Sequence, residues 1–93
     1  MLKTKLMQAK ETVESIQGSA FVVAIGYVTV QAKLDQEIAT AKEAGVSDAS
    51  IAAILASAKV RANRHREGGR RSREEFAAEL AAFEAAVEEI MKA

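Results

Sequence analysis

Apolar side chains recur at alternating steps of four and three along most of this chain, the periodicity of helices that each bury one stripe. Leu2, Leu6, Ala9, Val13 and Ile16 make the first stripe, opposite a mixed polar face of Lys3, Lys5, Lys10, Glu11 and Glu14. Gly18 follows as a helix stop. A second helix is read from about Ser19 to the Ala44-Gly45 step. Its start, AFVVAIGYVTV at 20–30, has the β-branched and aromatic composition of a strand, and Gly26 weakens a helix by about 1 kcal/mol. The stretch lacks period-two alternation, however, and no second strand exists to pair with it. Leu34, Ile38 and Ala41 then continue a helical stripe without a turn signal. The reading is one long helix, apolar all round at its start and therefore buried there on several sides.

Ser47 or Asp48 can cap a third helix, whose inner face is Ile51, Ile54, Leu55, Ala58 and Ala62 and which Gly68-Gly69 breaks. Ser72, with Glu75 three residues on, makes a capping box for a fourth helix over about Arg73 to Lys92. Phe76, Leu80, Phe83, Val87 and Ile90 step along it by four, three, four and three, and Glu74, Glu75, Glu79, Glu84, Glu88 and Glu89 are assigned to its outer faces. No proline interrupts the chain. The expected architecture is all-α: a small four-helix protein forming one domain over 1–93, with a helical hairpin core, a C-terminal amphipathic helix and a hinge near 66–72.

Composition adds a partner to that picture. The chain has 93 residues and 49% apolar side chains, but only three Phe, one Tyr and no Trp, so most of its apolar matter is small. A chain of this size buries only about 60% of its unfolded surface on its own. A homo-oligomer is expected, with Phe76, Leu80, Phe83, Val87 and Ile90 and the apolar start of the second helix as its contact surface. Absence of cysteine removes disulfides, thiolate ligands and thiol nucleophiles together. The N-terminus shows no secretory-signal pattern, and the longest apolar stretch falls short of the roughly 20 residues a bilayer needs. A cytoplasmic protein without a membrane partner is expected.

Charge singles out one segment. Formal net charge is zero, yet KVRANRHREGGRRSR at 59–73 carries seven Lys or Arg against Glu67 alone, a local charge of about +6. Arg61, Arg64, Arg66, Arg70, Arg71 and Arg73 are candidate ligands for an anion or a nucleic acid. Nucleic acid is not favoured, because the whole chain is neutral, no aromatic platform is expected beside the run, and no helix-turn-helix or zinc-finger spacing is present. The competing expectation is that these arginines face the glutamates of the fourth helix. His65, the single histidine, lacks the carboxylate or cysteine spacing of a metal motif, so neither a metal nor a cofactor is expected. Asp35 and Glu37 stand two residues apart and point about 200° away from each other on a helix. Glu37, beside the Leu34, Ile38, Ala41 stripe, is the remaining candidate acid-base group.

Residues 21–58, with Ala41-Lys42-Glu43-Ala44-Gly45-Val46-Ser47 as an A-x-x-A-G-V-S step between an apolar helix and one with isoleucines in phase, resemble the carboxymuconolactone decarboxylase and alkylhydroperoxidase D family. The resemblance implies a helical fold that assembles into dimers, trimers or hexamers. Its peroxidases carry C-x-x-C-x-x-x-H just before that step, where this chain has Val30, Lys33 and Glu37. Thiol-based peroxide reduction is therefore not implied. The sequence reads as an oligomerising helical interaction protein, leaning away from enzymes. Its rivals are an anion or nucleic-acid binder using the basic stretch, and a non-redox enzyme with Glu37 at a site between subunits.

Overall fold

A computed structural model describes residues 3–93; Leu2, the first member of the opening stripe, lies outside them. Among the described residues there are four α-helices: α1 Lys5–Ala24, α2 Gln31–Ala44, α3 Asp48–Glu67 and α4 Arg73–Lys92, with a 3₁₀ turn at Val28–Val30 leading into α2. The described residues form no strand.

Three of the helices start on a side-chain cap. The hydroxyls of Thr4, Ser47 and Ser72 accept hydrogen bonds from the amides of Met7, Ser50 and Glu75, each satisfying a donor with no partner inside its helix. At α4 the capping box is complete, since the Glu75 carboxylate also accepts from the Ser72 amide. The helix ends are equally uniform. Gly26, Gly45 and Gly68 take φ of 116°, 112° and 71°, in or near the left-handed region. Behind them the amides of Tyr27, Val46 and Gly69 donate to the carbonyls of Val22, Ala41 and Arg64, which is the Schellman closure. Gly45 is needed twice over, because a Cβ built there would stand 2.6 Å from the Ala93 Cβ.

These stops correct the boundary expected between the first two helices. Gly18 does not end a helix; α1 runs through it to Ala24, and the long helix expected from Ser19 is divided at Gly26. The reason is packing. Ala9, Val13, Ile16 and Ala20 form one buried face across Gly18, and burial of that face outweighs the local glycine cost of about 1 kcal/mol. Beyond Ala24 no such face continues. Phe21 to Ile25 are half-buried, while Tyr27 and Val28 are 62% and 72% exposed, so the segment expected to be buried on several sides is largely open.

α1 packs against each of the other three helices. Its core partners are Leu34 and Ala41 of α2, Ile51, Ile54 and Ala58 of α3, and Ala82, Ala86, Val87 and Ile90 of α4, with Val46 from the α2–α3 turn. Close to half of this core is alanine, which lets helix axes approach but removes little apolar area from water per residue. α3 and α4 run antiparallel. Glu89, near the end of α4, accepts hydrogen bonds from the Ser47 amide (2.9 Å), the Ser47 hydroxyl (2.9 Å) and the Ser50 hydroxyl (3.0 Å) at the start of α3. At the same end of the bundle, the Lys5 ammonium donates to the Ala93 carbonyl oxygen at 2.8 Å.

Candidate functional site

At the opposite end, α1 and α3 finish and α4 begins, and there the basic segment is folded into a cleft. The Gly68 stop reverses the chain after Glu67, and five residues later the Ser72 cap starts α4 back along α3. This return places the arginines of both α3 and the loop against the first two turns of α4. The side chains of Phe21, Arg61, Arg64, His65, Arg70 and Phe76 are among those lining an open cleft of about 700 Å³.

Half of the expected arginine set is paired with the protein's own acidic helix. Arg64 donates from Nε to Glu75 Oε1 at 3.0 Å, and its Nη2 lies 3.0 Å from the same oxygen. That hydrogen bond, more than any other cause, holds the Glu75 carboxyl below its ordinary value and the Arg64 guanidinium above its own. Arg61 and Arg71 both approach Glu79. Arg71 Nη1 donates to Glu79 Oε2, and Arg61 Nε stands 3.4 Å from Glu79 Oε1 without hydrogen-bond geometry. Arg61 also donates from Nη2 to the Gln17 carbonyl at 3.0 Å, tying α3 to α1. Arg66 reaches the Ala24 carbonyl and so helps close the end of α1. Arg70 and Arg73 have no ion-pair partner among the described residues.

Two corrections concern α4. Glu79, assigned to an outer face, is 7% exposed and points into the bundle. The buried face is Glu79, Ala82, Ala86 and Ile90, so the expected Phe76, Leu80, Phe83, Val87, Ile90 stripe is turned to one flank. Val87 and Ile90 are buried and Phe83 half-buried, whereas Leu80 and Phe76 are 45% and 52% exposed. The second correction is the aromatic one. Folding brings Phe21 and Phe76 to the arginines: the Arg61 guanidinium lies 5.1 Å from the Phe21 ring centre, and that of Arg71 lies 5.2 Å from Phe76. His65 meets the Phe21 ring edge to face at 5.7 Å. Sequence alone places no platform beside the basic run, because Phe21 is about forty residues from it and Phe76 reads as part of the contact stripe of α4.

Glu37 stands elsewhere, half-buried in a polar groove between α1 and α2, where it accepts a hydrogen bond from the buried Ser19 hydroxyl and has Lys33 as a neighbour. It meets none of the arginines. Glu89, also assigned to an outer face of α4, is half-buried against the start of α3. Its carboxylate in fact serves the start of α3, and the Ser47 amide is the main cause that holds its carboxyl below the ordinary value. Glu79 carried a legible signal, since it shares a helical face with Ala82 and Ala86; Glu89 carried none within its own helix.

The described residues contain no helix long and apolar enough to cross a membrane. No family model, curated protein or solved structure matches the chain. What the geometry defines is a four-helix, all-α protein with an alanine-rich core and a basic, aromatic-walled cleft at one end.

Proposed function

We propose that this chain is an oligomerising helical interaction protein that pairs with a second copy through α4. The observation that carries the reading is the exposure of Phe76 and Leu80, 52% and 45%, in a chain whose own core is so largely alanine. The charge along α4 suits an antiparallel, two-fold pairing. Arg73 opens the helix and Glu84 follows Leu80 by one turn, and neither has an ion-pair partner among the described residues. Crossing two copies near Leu80 brings Arg73 of each helix toward Glu84 of the other, and such contacts favour one register over the rest. Tyr27 and Val28, exposed at the same end of the bundle, extend the apolar surface available to a partner.

The likeness to the decarboxylase and hydroperoxidase family agrees with an oligomeric habit. Sedimentation velocity tests the proposal. The wild-type chain should sediment as a dimer or larger at low and high salt alike, because apolar contacts resist screening, and Leu80→Glu should sediment as a monomer. A wild-type monomer under both conditions would overturn it.

A further inference from the structure

We infer that the cleft between the ends of α1 and α3 and the start of α4 binds a compact phosphate-bearing ligand with a flat ring, the chemistry of a nucleoside di- or triphosphate. Its size, about 700 Å³, falls in the range of small-ligand sites. Arg61, Arg64, Arg70, Arg71 and Arg73 line it, and the carboxylates facing them are those of Glu75, on Arg64, and Glu79, between Arg61 and Arg71. Positive charge is therefore left over: Arg61 and Arg71 share the one carboxylate of Glu79, and Arg70 has none within reach among the described residues. The first turn of α4 adds the positive end of its dipole beside them.

Two features select the ligand class. Phe21, which lies away from the α4 pairing surface, gives this charged cleft an apolar ring on which a planar group, but not a simple ion, can stack. The paired arginines are fixed by Glu75, Glu79 and the Gln17 carbonyl before any ligand arrives, which lowers the ordering cost of binding. The surplus is also confined. Glu67, 4.0 Å from Arg64, and Glu74, on the first turn of α4, follow at its edges in a chain of zero net charge, so a long polyanion tracking beyond the cleft would meet carboxylates. A compact ligand fits this charge distribution better than a nucleic acid strand.

Calorimetric titration of the full chain at low salt with ATP, inorganic tripolyphosphate and a short single-stranded RNA tests the inference. ATP should bind, more tightly than tripolyphosphate, and weaken as salt rises. Arg70→Ala/Arg73→Ala, which breaks no ion pair among the described residues, should retain its helical circular dichroism and lose ATP affinity by about tenfold or more. Phe21→Ala should bring ATP down to the level of tripolyphosphate. Leu80→Glu should bind ATP like the wild type, since Leu80 lies outside the cleft, so failure of the pairing through α4 is read separately from failure of this site. The inference is overturned by absence of ATP binding at millimolar concentration, by equal binding of ATP and tripolyphosphate to the wild type, by undiminished ATP binding in the arginine double variant, or by binding of the RNA alone.

Discussion

The two ends of α4 solve opposite problems with one sequence pattern. Toward its end, Val87 and Ile90 sit in the core and Glu89 reaches out to cap α3. Toward its start, the apolar Phe76 and Leu80 are half in water and the carboxylate of Glu79 is inside, held by Arg61 and Arg71. The difference follows from which side chains allow a helix to come close. Ala82 and Ala86 present no bulk, so α1 and α3 settle on their face of α4, and whatever shares that face is carried inward. At one end the passenger is Ile90; at the other it is Glu79. Burial on this helix follows the face that Ala82 and Ala86 share rather than hydrophobicity alone, and the arginines of 59–73 make the second outcome tolerable by supplying the charge that a buried carboxylate requires.

The two ends of α4 should differ most at their large apolar side chains. Ile90→Ala should lower unfolding stability by about 3 kcal/mol, the range for large-to-small changes at buried sites. Leu80→Ala should cost under about 1 kcal/mol. Both are read by urea denaturation at concentrations where the chain is monomeric, and equal losses at the two positions would break the distinction drawn between the ends.

A smaller effect is expected at Glu79. Removing one partner of a fully buried pair costs about 3–5 kcal/mol, but Arg61 and Arg71 keep some contact with water, so Glu79→Ala should cost about 2 kcal/mol. Converting Arg61 to Met together with Glu79 to Leu should recover part of that loss, because the desolvation of both charges is then removed.

The smallest effects separate the ends by pH and salt. Glu89 and Glu75 both have folded-state values below the ordinary 4.5. Each therefore contributes stability that is present above the unfolded carboxylate value and is lost as pH falls through the lower folded one. Wild type and Glu89→Gln should differ at neutral pH and converge as pH falls through the lowered folded-state value of Glu89. High salt should weaken the contribution of Glu75, which comes chiefly from Arg64, and leave that of Glu89, which comes from amide and hydroxyl donors, nearly unchanged. Parallel pH titrations of stability for Glu75→Gln and Glu89→Gln at two salt concentrations check this.

Much of the fold was legible one residue at a time. The caps at Ser47 and Ser72, the stops at Gly45 and Gly68, and the inner faces of α2 and α3 depend on hydrogen bonds and spacing within a few residues, so local sequence determines them. Gly18 and Gly26 were separable only by tertiary structure, because a glycine ends a helix only where no buried face carries the helix onward. The same holds for the candidate site. That 59–73 is basic is a property of the chain, whereas its apolar walls are not: Phe21 reaches it from the far side of the sequence, and Phe76 is turned to it by the rotation of α4. That rotation was decided by alanines on α4 finding α1 and α3, a contact between distant segments that no periodicity within one helix specifies.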